Sequence, residues 1–133
     1  MRVVFDTNVL VAAFLTEGLC SVLLNRASRG EFELLICPKI LEEFERVLKK
    51  KVKLPYDLVQ DVLNLILEVS KVVQSTRVVQ AVCRDEDDNN ILACALSTGA
   101  NYLISGDKDL LEIGSIERLK ILSPREFEIL FED

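Results

Sequence analysis

The chain has 133 residues, with 22 acidic against 16 basic side chains, a net charge of −6, and no histidine; half of it is hydrophobic. Without histidine, Ser-His-Asp and Cys-His nucleophiles and histidine metal sites are excluded, so any metal must be held mainly by oxygen, which favours Mg²⁺ or Mn²⁺. The acidic balance argues against broad electrostatic attraction to nucleic acid, and the length suits one compact domain over 1–133.

The opening stretch MRVVFDTNVLVAAF reads as a buried strand, Arg2–Phe5, that ends in Asp6. It has one Arg, an acid inside the apolar run and no small-residue cleavage site, so a cytoplasmic protein without a membrane segment is expected. One or two helices follow over 8–28. A second strand is expected at 33–37, then a helix opened by Pro38, whose fixed φ suits a first turn. The periodicity predicts a further helix from 55 to about 69 and a short, weaker strand at 71–75. Residues 88–98 read as a helix closed by Gly99. NYLIS, 101–105, is a strong strand. Leu119–Leu122 is the last strand, and Ser123 and Pro124 cap and open a final helix. Cys20, Cys37, Cys83 and Cys94 lie at irregular spacings in apolar surroundings, which predicts buried reduced thiols rather than a zinc site or a disulfide frame. Strands alternating with helices imply a three-layer α/β/α sandwich around a mostly parallel sheet of four to five strands.

In such sheets, ligands bind beyond the carboxyl ends of the strands. Asp6 stands at one such end, and Asp107, after the Ser-Gly turn of YLISGDKDLL, stands at another. Either could serve only as a helix cap. Asp85, Glu86, Asp87 and Asp88 precede an apolar helix, and helical spacing separates them: Asp88 lies three, four and seven residues before Ile91, Leu92 and Ala95, so it starts the buried stripe. Asp87 falls to the side, and Asp85 falls outside the helix. In PKILEEFERVLKKK, Glu42 points away from the apolar stripe, while Glu43 and Glu45 flank it on either side and periodicity does not choose between them. Two bare carboxylates about 4 Å apart repel by about 4 kcal/mol at an effective dielectric near 20. Several acids at one partly buried edge therefore call for a cation.

These stretches resemble the PIN-domain ribonucleases, especially the small prokaryotic type found as toxins of toxin–antitoxin pairs. The resemblance rests on VVFDTNVLVAA, ILEEFERVL, RDEDDNNILACALSTGANYLISGDKDLL and ILSPREF, in this order across nearly the whole chain. It implies Mg²⁺- or Mn²⁺-dependent endonucleolytic cleavage of RNA, with Asp6, Glu43, Asp88 and Asp107 as the metal-binding and catalytic acids. It makes Asn8, Ser105, Asp109 and Asp85 supporting positions, Asn8 through a hydrogen bond to Asp6. A homodimer and an inhibitory antitoxin protein are further implications. Arg46, Lys49, Lys50, Lys51 and Lys53 form the one dense basic cluster, either a solvated helix end or a strip that tracks phosphates. Arg84 could hold a phosphate or pair with Asp87.

Three rivals share parts of this pattern. A haloacid-dehalogenase phosphatase needs an acid where Asn8 stands. A receiver-like signalling domain with an acidic Mg pocket needs an Asp after the third strand, and SKVVQSTRVV has none. A PIN-like binding module with masked activity would have the same sequence signature as the nuclease.

Overall fold

In the computed structural model, which describes residues 1–78 and 83–132, a six-stranded sheet has the order β3-β2-β1-β4-β6-β5. β1 (Arg2–Phe5) lies at its centre, between β2 (Glu33–Ile36) and β4 (Tyr102–Ile104), parallel to both. β3 (Ser70–Val72) and β6 (Leu119–Leu122) extend the parallel set. Val3, Val4 and Phe5 are all buried, as a central parallel strand covered on both faces requires.

The sheet thus has more strands than the four to five expected. The extra one is β5 (Ser115–Ile116), a two-residue strand pairing antiparallel with β6. Two residues are too short to show any alternation. The same holds for α6 (Lys108–Ile113), whose six residues give no periodic stripe. The end of SKVVQSTRVV lies outside the described residues; the strand within it is Ser70–Val72 rather than 71–75.

The first helical region divides into α1 (Thr7–Leu15) and α2 (Leu19–Ser28), bent 93° apart. α3 (Pro38–Lys50) and α4 (Tyr56–Val69) fill the step from β2 to β3, and α5 (Glu86–Ser97) spans the step from β3 to β4. Chain direction across the sheet reverses between these steps, so right-handed crossovers set α5 against the face opposite α1–α4. α5 ends as its sequence anticipates: Gly99 takes φ +68°, a left-handed conformation that a side chain disfavours, and a Cβ there would sit 3.3 Å from the Arg2 guanidinium. α7 (Pro124–Ile129) is closed by a capping box between Ser123 and Glu126. It is tied to α2 by the buried Glu128, which accepts from Arg26 Nε at 2.7 Å, while that guanidinium stacks 4.6 Å over Phe131.

The structure overturns one cysteine expectation. Cys37 and Cys94 are joined by a disulfide, with Cα atoms 5.9 Å apart, while Cys20 and Cys83 are free. The partners lie 57 residues apart in sequence, and only the fold brings the end of β2 against the buried side of α5. Among the described residues, no single helix is long and apolar enough to cross a membrane.

Candidate metal centre

β1 and β4 run parallel with Phe5 beside Ile104, so the residues that follow them emerge together. The strand order reverses at β1, and this is where an open α/β sheet leaves a crevice. Asp6 and Ser105 leave the sheet side by side, and Ser105 Oγ donates to Asp6 Oδ2 at 2.6 Å. The same Oγ accepts the Asp107 N–H at 3.0 Å. One buried hydroxyl therefore positions both acids.

Each acid also caps a helix. Asp6 Oδ1 accepts from the Asn8 N–H at 2.6 Å, and Asp107 Oδ1 accepts from Asp109 N–H at 2.8 Å and Leu110 N–H at 3.3 Å. Asp85 Oδ1 accepts from Asp87 N–H at 2.9 Å. Capping and site-building are thus not alternatives here: helix N-termini help hold negative charge at the edge. Asn8 reaches Asp6 through its backbone amide, not its exposed side chain.

Carboxylate oxygens of Asp88, Asp107 and Asp109 all lie within 4.8 Å of one another. Asp88 is buried, Asp107 half-buried and Asp109 exposed. Asp6 and Glu43 stand outside this trio. Glu43 approaches from α3, its Oε2 accepting from Thr7 Oγ1 at 3.1 Å, with Arg46 Nη2 4.0 Å from its other oxygen. The four acids singled out from sequence therefore share one edge of the sheet, on the ends of β1 and β4 and the facing sides of α3 and α5.

The electrostatics match this crowding. Burial pushes the Asp88 carboxyl up to about 6, and the charges of Asp107, Asp85, Asp6 and Asp109 add to the effect. Burial also raises Asp6, against the lowering influence of the Ser105 hydroxyl and the Asn8 and Val9 amides. Glu43 is raised by burial first; the Thr7 hydroxyl opposes the rise, while the charges of Asp87 and Asp6 reinforce it and Arg46 counters them. Among the described residues, no Lys or Arg forms an ion pair with Asp6, Asp88, Asp107 or Asp109. An all-oxygen, uncompensated anionic set of this kind fits a hard divalent cation.

Sequence reasoning missed Thr7, Asp87 and Asn89. Thr7 directly follows Asp6, and its position in the first turn of α1 was the available signal. Asp87 lines a cleft with Glu43 and Arg46 instead of merely flanking the helix. Asn89 is buried and holds the Cys83 backbone, accepting its N–H at 2.9 Å and donating to its carbonyl at 3.3 Å. Arg84 makes no ion pair with Asp87 among the described residues; it lines a separate recess with Cys83, Asp109 and Glu112.

Comparison with known proteins agrees with this architecture. A family model described as PIN domain matches residues 2–109. An uncharacterized protein of Methanocaldococcus jannaschii is 30% identical over 145 residues, an alignment covering 99% of this chain and 92% of that protein. Among solved structures, VapBC2 from Rickettsia felis bound to a DNA fragment from their promoter aligns with a TM-score of 0.66 at 17% identity, over 92% of this chain and 98% of that one.

Proposed function

Because the chain belongs to the PIN domain family, whose members are generally nucleases using divalent metals, we propose that it is a Mg²⁺- or Mn²⁺-dependent endoribonuclease, a single nuclease domain over residues 1–133. The observation that carries the reading is the convergence of Asp88, Asp107 and Asp109 oxygens within 4.8 Å, beside Asp6. Asp6, Glu43, Asp88 and Asp107, with Asp109, would hold the cation. When bound, such an ion lowers the pKa of its water and offsets charge on the phosphate.

The side chains divide the remaining work. Ser105 fixes the rotamer of Asp6 and the start of the Asp107 turn through one hydroxyl. Thr7 holds Oε2 of Glu43, leaving Oε1 to orient the attacking water and accept its proton. The products carry 5′-phosphate and 3′-hydroxyl ends. The receiver reading gains no support: β3 lies two strands from β1 and is followed by Val73, Gln74 and Ser75, with no acid to phosphorylate.

The toxin assignment, with an antitoxin protein as partner and a cytoplasmic location, rests on the motif resemblance and on the likeness to VapBC2. The homodimer rests on the resemblance together with the exposed Tyr56, Leu58, Leu65 and Leu67 of α4.

The test is cleavage of a fluorogenic RNA by the purified chain, with Mg²⁺ or Mn²⁺ against EDTA. Metal-dependent cleavage is expected, with Asp6→Asn lowering the rate by roughly 100-fold or more. A metal-independent rate, or an Asp6→Asn protein as active as the parent, refutes the proposal.

A further inference from the structure

The basic residues of α3 do not form one cluster; the structure divides them. Lys49 pairs with Glu45 one turn earlier, and Lys50 and Lys51 sit at the helix C-terminus, where cations complement the dipole. Lys39 has no such explanation. It lies in the first turn of α3, the positive end of the dipole, where a cation is disfavoured and where no acid accompanies it. It is exposed, and among the described residues no carboxylate comes within 4.0 Å of its ammonium.

Lys39, Glu43 and Arg46 follow a spacing of four and then three, which stacks them on one face of the helix. That face is one wall of an open cleft of about 290 Å³, and Asp87 and Asn90 of α5 supply the other wall. Lys39 and Asn90 also line a second recess of about 460 Å³, which continues past them to Gln74 and Ser75. The two spaces share Lys39 and Asn90 and so adjoin: the first holds Glu42, Glu43 and Asp87, with a cation on either side of Glu43 along the helix, and the second adds Gln74, Ser75, Arg77 and Glu86. Lys39 and Arg46 are about 10 Å apart along the axis. No Phe or Tyr lines either recess, so a ligand here is gripped by charge and hydrogen bonds, not by stacking.

We propose that the cleft between α3 and α5 is a track for single-stranded RNA, in which Lys39 and Arg46 hold backbone phosphates on either side of Glu43 and the recess at Gln74, Ser75 and Asn90 receives the adjoining nucleotide. This rests on the nuclease reading and identifies the surface that delivers its substrate. Each cation neutralises one phosphate, so each adds to the salt dependence of binding. Arg46 leaves its exposed, 4.0 Å contact with Glu43 to do so. Glu42, Glu86 and Asp87 also line these spaces, so the attraction is confined to phosphates seated directly on Lys39 and Arg46.

The experiment uses the full chain carrying Asp6→Asn, in Mg²⁺, with a 5′-fluorescein oligouridine of about 12 nucleotides, read by fluorescence anisotropy between about 50 and 200 mM KCl. Lys39→Ala and Arg46→Ala each weaken binding roughly fivefold to tenfold and reduce the salt slope by about 0.7. Lys120→Ala, at the register of Tyr102 near the amino end of β4, changes neither. Circular dichroism checks that all three fold; the three side chains are exposed. If Lys39→Ala binds with the parent affinity and slope, the track is refuted while cleavage by the parent keeps the nuclease reading. If the parent chain neither binds nor cleaves RNA, both fall. An oligoglutamate peptide is the rival ligand: if it binds in a Lys39-dependent way and oligouridine does not, the groove is a protein-docking surface and the proposal is overturned.

Discussion

Asp88 offers a direct test of whether the acids behave as one centre. Its carboxyl moves from an ordinary 3.8 to about 6 on folding, so the native state binds its proton more tightly than the unfolded chain does. The stabilisation from this group is fully present below about pH 4 and is lost as pH rises through about 6. A shift of about two units corresponds to about 3 kcal/mol, and solvent at the open edge reduces this to about 2. In metal-free protein, the stability of Asp88→Asn relative to the parent should therefore rise by about 2 kcal/mol between pH 4 and 6.5 and then level off. For a chain of this size that is roughly 6–8 °C in Tm. The comparison with Asn cancels groups that do not interact with Asp88, while Asp107, Asp85, Asp6 and Asp109, whose charges act on it, respond together with it as one centre. The assay is thermal unfolding by circular dichroism in EDTA across this pH range. A divalent ion should invert the relation above pH 6, because it binds the ionised site: Mn²⁺ at about 100 times its Kd stabilises the parent by about 2.7 kcal/mol and Asp88→Asn by much less. A pH-independent difference between the two proteins, or an equal gain from Mn²⁺ in both, refutes the crowded-anion account.

Two other outcomes follow from contacts around the same edge. Ser105→Ala removes the donor to Asp6 Oδ2 and the acceptor for the Asp107 amide in a fully buried position. It should cost about 1–3 kcal/mol, and it should raise Asp6 further, moving the acid limb of the pH–rate profile to higher pH; Ser105→Thr should restore the profile, and an unmoved limb in the Ala variant contradicts the positioning role. The Cys37–Cys94 disulfide closes a loop of 57 residues, which in the chain-entropy account contributes about 4 kcal/mol. Reduction should lower Tm by roughly 12–16 °C, and thiol titration of the denatured, unreduced chain should find only Cys20 and Cys83; finding all four cysteines reactive removes the bridge.

What was legible from sequence, and what was not, follows from the range over which each signal acts. Periodicity placed Asp88 at the head of a buried stripe because a helix repeats within a few residues, and the structure has it buried there. The carboxyl-end rule put Asp6 and Asp107 on one edge because both follow strongly apolar strands, and β1 and β4 are indeed parallel neighbours. Glu43 could not be separated from Glu45 by the same means, since both flank the α3 stripe; what distinguishes them is Thr7, 36 residues earlier, whose hydroxyl meets Glu43. The disulfide and the shared role of Ser105 are likewise contacts between distant segments, and no local pattern encodes them. The division of the α3 cations is the most instructive case. As a run of charges they read as one cluster, either a solvated helix end or a strip that tracks phosphates, and Lys39, ten residues before the Lys49–Lys51 run, did not belong to it. Only when α5 closes the opposite wall does the helix acquire a groove face, and then a lysine at the unfavourable end of a dipole becomes the residue that most needs a ligand.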